Sequence, residues 1–206
     1  FPKNINTFVD LFSGGFNVGI NVDSKKTICN DINSFIIDLY KELYNKPIND
    51  VLQHIENRID EYGLSKENEE AFKKFRVYYN KTKDPIDLYT LSCYSFNYQF
   101  RFNNDKEYNN PFGRNRSQFS DNMRNNLILF TQKLKDMNIE FSSEQFDKLN
   151  LQDLNNNDFV YCDPPYLITT GSYNDGNRGF KDWKEEEELK LYKVLDELDK
   201  KNVRFA

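Results

Sequence analysis

A short apolar segment that runs into an acid and two prolines constrains this chain more than any other stretch. Residues 159–162 (Phe-Val-Tyr-Cys) are apolar or aromatic and suit a buried β-strand. Asp163 follows, and Pro164-Pro165 then stiffens the backbone and leaves two carbonyl acceptors without an N–H donor. Tyr166 adds an aromatic ring. Because open α/β sheets bind ligands at the carboxyl edge of their strands, the sequence predicts a binding site here.

The chemistry of this segment suits a planar molecule that carries an amino group. The Asp163 carboxylate and the Pro164 carbonyl would each accept one amino hydrogen, and Tyr166 would stack on the ring. The alternative is a strand that ends in a Pro-Pro turn and binds nothing. The four residues alone do not decide between the two.

The first third of the chain has the pattern of a nucleoside-binding half. Thr7–Phe12 predicts a buried strand, Ser13–Gly15 a tight turn, and Thr27-Ile28 the beginning of a second strand. Asp31 ends that second strand 21 residues after Asp10, as in dinucleotide-binding folds, where such an acid accepts hydrogen bonds from ribose hydroxyls. The alternative is an ordinary βα turn with a helix-capping acid. A pyrophosphate fits poorly, since there is no GxGxxG or GK[ST] motif and Asp10 would repel it.

Size and composition indicate one α/β domain with an inserted subdomain in 206 residues. A hydrophobic share of 38% allows a core, whereas the mean hydropathy of -0.83 indicates a very polar surface. No apolar run approaches the roughly 18 residues of a membrane span, and no leader is visible, so we expect a cytoplasmic protein without membrane contact. The net charge of -5 argues against indiscriminate nucleic-acid binding but allows a local basic groove.

Cysteine and histidine usage argues against a metal centre. The three cysteines are an odd number, there is no CxxC, and the single histidine, His54, is expected on a helix surface. We therefore expect reduced thiols and no metal. The chain begins at Phe1 and ends as a strand begins, so we also expect a fragment of a longer protein.

The middle of the chain is helical. The periodicity predicts helices from Ser34, around 51–59, over 68–79, over 84–94 and over 120–137, and the aromatic stripe of the third is expected in a core. A last helix is predicted over 183–201. Residues 167–181 have the composition of a loop that closes over a ligand, and a purely disordered loop is the alternative. We assign 47–117 to the inserted subdomain, with 1–46 and 118–206 forming the main domain.

Three segments, Phe8–Gly15, Asn30–Ile32 and Asp163–Tyr166, resemble the motifs of the Dam-type, D12-class N6-adenine DNA methyltransferases of bacteria and phages. The order of cofactor motif, long middle segment and DPPY also matches that family. The resemblance implies a Rossmann-like, S-adenosylmethionine-dependent α/β fold that transfers a methyl group to N6 of a flipped adenine in duplex DNA. The implied catalytic residues are Asp163, Pro164, Pro165 and Tyr166, and the implied cofactor-binding residues are Asp10, Phe12, Gly14, Gly15, Asp31, Ile32, Phe146 and Asp163.

The choice of Phe146 rests on its place in Ser143–Asp147, where the family positions an acid and an aromatic ring around the adenine of the cofactor. Glu144 and Asp147 both flank the ring, so the acid stays open. A plain core position for Phe146 is the alternative.

A polar stretch late in the inserted subdomain has the composition of a DNA-contacting hairpin. Residues 97–124 carry five basic and three acidic side chains among amides and aromatics, although a merely solvated hairpin would have the same composition. Arg101-Phe-Asn103 and Asn110-Pro-Phe-Gly113 are similar to the DNA-contacting segment of phage Dam enzymes, which recognise GATC. The implied DNA-binding residues are Gln99, Arg101, Asn103, Pro111, Arg114 and Arg116.

The resemblance implies double-stranded DNA as partner, a cognate restriction enzyme in a restriction-modification setting, and a monomer. Two other functions stay open: adenine-N6 methylation of RNA, and a non-catalytic DNA-binding relative. The second gains weight because there is no upstream Tyr-x-Gly-x-Lys motif and, beyond the start of one at 203–206, no strands follow the last helix.

Overall fold

The computed structural model describes residues 1–165 and 183–206. These residues divide into two compact units, one formed by 1–37, 133–165 and 183–206, and the other by 38–132. Tyr166 and the predicted 167–181 loop lie outside the described residues. In the part of the chain that the structure describes, no helix has the length and apolarity that a membrane span requires.

The first unit contains a five-stranded, wholly parallel sheet in the order β3-β2-β1-β4-β5. The α/β fold class predicted from sequence is confirmed. The strands are β1 (Ile5–Asp10), β2 (Ser24–Asn30), β3 (Ile139–Ser142), β4 (Phe159–Tyr161) and β5 (Arg204–Phe205).

Alternate residues of the central strands face opposite sides of the sheet, as strand geometry requires. Phe8 of β1 pairs with Phe159 of β4, and both rings belong to one apolar cluster. The next pair, Val9 and Val160, belongs to a second cluster with residues such as Leu191 and Leu198. Both faces of the central strands are therefore buried, and their residues form near-continuous apolar runs.

The described residues also form six α-helices, and each lies within about three residues of its predicted bounds. Their local signals are plain: Asp84 caps the fourth helix by accepting from the N–H groups of Ile86 and Asp87, and Asn68 caps the third by accepting from Ala71 N. The helices are α1 (Ser34–Asn45), α2 (Ile48–Tyr62), α3 (Glu69–Thr82), α4 (Pro85–Cys93), α5 (Asp121–Asp136) and α6 (Glu185–Lys200).

The second unit has an aromatic core and one buried ionic network. Phe72, Phe75 and Tyr79 of α3 are buried, as the stripe predicts. The surface position predicted for His54 is met only in part. A quarter of its side chain is exposed, and its Nε2 lies 2.7 Å from Oδ1 of the fully buried Asp87. Arg58 Nε donates to the same oxygen at 2.9 Å, so a guanidinium already supplies the positive charge there.

Candidate active site

Strands β1 and β4 lie side by side where the strand order changes direction. The chain runs from β1 to β2 and β3 on one side and then returns to β4 on the other side of β1. Asp10, the last residue of β1, pairs with Tyr161, and Leu11 N donates to Tyr161 O at 3.0 Å. The glycine turn and the Asp163 segment therefore leave the sheet at the same edge, at the switch point where doubly wound sheets bind ligands.

Asp10 is a buried carboxyl group at this edge. Only 1% of the residue is exposed, and Oδ2 accepts one hydrogen bond from Gly19 N at 3.1 Å. Burial raises the pKa of Asp10 to about 7; the Gly19 N–H opposes that rise, and the Asp31 and Asp163 carboxylates add to it. Three carboxyl groups thus act on one another here. Such an edge favours a cationic or uncharged ligand over a phosphate.

Asp31 connects the second strand to the glycine turn. Its Oδ2 accepts from Gly14 N at 2.8 Å, and its Oδ1 accepts from Asn33 N at 2.8 Å. Gly14 has a φ of +46°, in the left-handed region that glycine adopts most readily. The acid and the glycine that sequence analysis assigned to one site are therefore in direct contact. Ile32, beside them, keeps an exposed side chain at 37%.

The segment that follows the turn, residues 16–19, is tightly packed. A Cβ at Gly19 would lie 2.1 Å from Cε2 of Phe16 and 2.9 Å from Oδ2 of Asp10. Phe16 is fully buried and has a positive φ of 56°. Gly15, in contrast, is exposed, and Phe12 is half-buried. Phe16 and Asp10 therefore leave no room for a side chain at Gly19.

Asn30 is a residue of this region that sequence analysis did not assign. Its buried amide nitrogen donates to Leu11 O and to Glu144 O, each at 3.1 Å, while its Oδ1 accepts from Glu144 N at 3.1 Å. One side chain thereby holds the segments that follow β1 and β3. The sequence signal was its place in the Asn30–Ile32 segment, which resembles a family motif but indicated no role for this residue.

Phe146 lies in the core of the first unit. It is 9% exposed, and its ring centroid lies 5.3 Å from those of both Phe12 and Trp183. The two flanking acids differ in exposure: Glu144 is exposed, and Asp147 is half-buried.

The Asp163 segment is open to solvent. Asp163 and Pro165 are exposed, and Pro164 is half-buried. Just before them, Cys162 N donates to Ala206 O at 2.8 Å, and burial raises the pKa of its thiol to about 12. Cys162 therefore stays protonated at neutral pH. The carboxylate two residues beyond β4 is accessible, which a ligand-binding role requires.

Comparison with known proteins agrees with this arrangement. Residues 1–205 match the family model described as D12 class N6 adenine-specific DNA methyltransferase. The chain belongs to this family.

Relatives of the chain are named as methyltransferases or methylases. It is 61% identical over 206 residues to Type II methyltransferase M.FokI of Planomicrobium okeanokoites and 56% identical over 206 residues to Modification methylase StsI of Streptococcus sanguinis. Both matches cover 100% of this chain but 32% of the relative, so the chain spans about a third of their length. DNA adenine methylase of Escherichia coli (strain K12) is 31% identical over 172 residues, which cover 81% of this chain and 58% of that protein.

The predicted DNA-contacting segment of this D12-class chain lies in the second unit and has the form of a hairpin. Antiparallel bridges join Ser95 to Phe112 and Phe102 to Tyr108. At its tip, Asn103 Oδ1 accepts from Asp105 N at 3.0 Å and from Glu107 N at 2.9 Å. The Asn103 side chain therefore shapes the turn.

The predicted DNA-binding arginines differ in their surroundings. Arg114 is exposed and forms an ion pair with Glu69. The exposed Arg116 donates to Asn97 Oδ1. Arg101 is half-buried, and its carbonyl accepts from Asn109 N at 3.0 Å. Of the two other predicted contacts, Gln99 is half-buried and Pro111 is exposed.

Proposed function

We propose that this chain transfers a methyl group from S-adenosylmethionine to N6 of an adenine flipped out of duplex DNA. Family membership supports the reaction class. The observation that carries the proposal is the register of β1 with β4, which brings the glycine turn and the Asp163 segment to one edge. RNA methylation is the alternative substrate class, which the same pocket would serve.

The residues at this edge fit the proposed cofactor by their charge. S-adenosylmethionine supplies a methyl group that is already activated by a positively charged sulfur. Asp10 and Asp163 place acidic groups near such a cation, and no metal or low-pKa nucleophile is required. Asp31 offers carboxylate oxygens to ribose hydroxyls, the exposed Ile32 offers an apolar contact, and Gly14 and Gly15 allow close backbone approach.

Asp163 and the Pro164 carbonyl act on the target base. They accept the two N6 hydrogens and draw the nitrogen toward a tetrahedral geometry, which frees its lone pair. The nitrogen then forms a bond to the methyl carbon while the carbon–sulfur bond breaks, leaving S-adenosylhomocysteine. Asp163 offsets the positive charge that develops on N6, and N6 then releases one proton to solvent. Flipping the base costs a few kcal/mol, part of which stacking on Tyr166 would repay.

The second unit would supply target recognition through Gln99, Arg101, Asn103, Pro111, Arg114 and Arg116. We propose 47–117 as the recognition subdomain and 1–46 with 118–206 as the catalytic part. Residues 95–112 form a polar hairpin with arginines nearby, which suits contact with phosphates and base edges. GATC is the proposed target, from the similarity of 101–113 to phage Dam enzymes. A restriction-modification setting accords with the names of the relatives.

The test is a methylation assay with this protein. Unmethylated duplexes with and without GATC, and ribosomal RNA, are incubated with S-adenosylmethionine, digested to nucleosides and analysed by mass spectrometry. N6-methyldeoxyadenosine in a defined subset of duplexes supports the proposal, and its restriction to GATC duplexes supports the target. Methylation of RNA alone favours the other substrate class. DNA binding without any methylation would identify a non-catalytic relative.

A further inference from the structure

One buried asparagine of the first unit joins two segments that the proposed cofactor site contains. Asn30 ends β2 and is 1% exposed. Its Nδ2 donates to the carbonyl oxygens of Leu11 and Glu144, and its Oδ1 accepts from Glu144 N, each at 3.1 Å. Every partner here is a backbone group, and two carbonyls with one N–H fix the orientation of the amide. Asn30 therefore forms a hydrogen-bonded link between the segments that follow β1 and β3.

The first of these segments is the glycine turn. Leu11 immediately follows β1, and Ser13 N donates to Asn30 O at 2.8 Å. The next residue, Asp31, accepts from Gly14 N. Together, Asn30 and Asp31 thus hold the turn at three of its residues. A substitution at Asn30 therefore acts on the same turn as Asp31 without removing a carboxylate from the site.

The second segment carries Phe146. In the β2–β3 register Asn30 pairs with Ser142, the last residue of β3, and Asp31 N donates to Ser142 O at 3.2 Å. The Asn30 amide then pairs with both backbone groups of Glu144, because it offers the donor and the acceptor of a peptide group. The side chain therefore extends the strand pairing past the end of β3, to within two residues of Phe146.

Aromatic contacts join the same two segments. Phe12 follows Leu11, and its ring centroid lies 5.3 Å from that of Phe146. The Trp183 ring contacts both, with its centroid 5.5 Å from that of Phe12 and 5.3 Å from that of Phe146. Closely packed side chains transmit small displacements of the backbone that carries them. Loss of the Asn30 bonds would therefore shift Phe12 and Phe146, two predicted cofactor-binding residues, relative to each other.

We propose that Asn30 is a positioning residue that fixes the distance between the glycine turn and the Phe146 segment and thereby sets the affinity for the adenosine part of S-adenosylmethionine. This inference rests on the proposed function and adds a residue outside the predicted cofactor-binding set. Asn30 acts through the backbone of the two segments rather than by touching the cofactor. The Asp163 segment leaves the sheet from β4, on the far side of β1, so the hydrogen bonds of Asn30 do not reach the groups that act on the base. Loss of Asn30 should therefore raise KM for the cofactor and leave kcat unchanged.

The experiment compares wild type, Asn30→Ala and Asn30→Asp in methyl transfer and in calorimetric cofactor binding. We expect KM for S-adenosylmethionine and Kd for S-adenosylhomocysteine to rise about 2- to 30-fold in both variants, the range for residues that affect a ligand without contacting it. The value of kcat at saturating cofactor and KM for DNA should stay as in the wild type. Asn30→Asp keeps the size of the side chain but turns an acceptor toward the carbonyls of Leu11 and Glu144, so it tests the hydrogen bonds without opening a cavity. S-adenosylhomocysteine has no sulfonium charge, so its affinity excludes attraction to the new carboxyl group.

Asp158→Ala is the matched control, because it removes a buried link of the same kind at the other end of the sheet. Asp158 immediately precedes β4 and is 1% exposed, and its carboxylate accepts from Thr7 N and Asn155 N, each at 2.8 Å. We expect Asp158→Ala to lower the temperature of thermal unfolding, as Asn30→Ala does, and to leave KM for the cofactor unchanged.

The outcomes separate this inference from the proposed function. Asn30 variants that bind the cofactor like the wild type would overturn the inference and leave the proposed function intact. So would an equal loss of cofactor affinity in Asp158→Ala, which would identify general loosening of the sheet as the cause, and so would a lower kcat at unchanged KM. Failure of the wild type to methylate any duplex instead removes the proposed function, and the calorimetric affinities then still decide the role of Asn30.

Discussion

Asp10 and Tyr161 are paired at the carboxyl ends of two adjacent parallel strands, and each precedes a segment of the candidate active site. On the other side of β1, Asp10 pairs with Cys29. Asp31 comes two residues after Cys29, and Asp163 comes two residues after Tyr161. The register of the three strands thus places one carboxylate just beyond each residue that pairs with Asp10. Because both carboxylates lie near Asp10, both raise its pKa.

Asp31 should control cofactor affinity. Asp31→Ala removes the acceptor for Gly14 N and Asn33 N as well as the proposed ribose contact. We expect S-adenosylmethionine to bind about 10- to 100-fold more weakly, as for loss of hydrogen bonds to a charged group. Isothermal titration calorimetry measures this, with Asp31→Asn as the control that retains one acceptor oxygen. Unchanged affinity in Asp31→Ala would contradict the assignment.

Gly19 and Gly14 should respond differently to substitution by alanine. The Cβ of Gly19→Ala would overlap the Phe16 ring, and we expect a loss of about 1–3 kcal/mol or more in the free energy of unfolding. Gly14→Ala meets no atom within 4 Å and bears only the strain of a positive φ, about 1 kcal/mol. Urea unfolding distinguishes the two. Equal losses would mean that the close approach at Gly19 is absent.

Asp10 should make stability depend on pH. Its pKa of about 7 in the folded chain exceeds the ordinary 3.8, so the folded state binds the proton more tightly than the unfolded state. Its contribution to stability is therefore fully present below about pH 4 and is lost as pH rises to about 7. Urea unfolding from pH 4 to 8 should show a flatter profile for Asp10→Asn than for the wild type. Parallel profiles would show that the carboxyl group titrates normally.

Asp87 should stabilise the second unit. Asp87→Ala leaves the partners His54 and Arg58 without their shared acceptor, and we expect a loss of about 1–3 kcal/mol in the free energy of unfolding. Asp84→Ala removes the side chain that caps α4 by accepting from backbone N–H groups. It should lower the free energy of unfolding by about 1 kcal/mol. An Asp87 variant as stable as the wild type would show that the network contributes nothing.

The elements of the site were predictable because their signals are local. An apolar strand that ends in an acid, a glycine turn and the 21-residue interval between Asp10 and Asp31 are all visible in the sequence, and the family resemblance ordered them. The structure confirms the parallel α/β architecture. Local signals were weaker where the strands begin. The sequence predicts strands from Thr7 and Thr27, whereas β1 begins at Ile5 and β2 at Ser24, because these two polar-flanked residues pair with each other.

What the sequence did not predict depends on contacts between distant segments. The Asn30 side chain contacts residue 144, and His54 contacts Asp87, 33 positions away. Neither pair has a spacing rule. The left-handed backbone at Phe16 was also hidden, since a buried phenylalanine seldom adopts it and the surrounding packing enforces it.

The Asp163→Asn variant tests whether Asp163 activates the adenine amino group. Tritiated methyl transfer to an unmethylated target duplex and calorimetric binding of S-adenosylmethionine are measured on the same preparation, with wild type alongside. We expect methyl transfer to be abolished, because the amide cannot offset the charge that develops on N6. Cofactor binding should survive, because Asp10, Asp31 and the glycine turn remain unchanged. Methyl transfer at a near-normal rate in Asp163→Asn would contradict this role of Asp163.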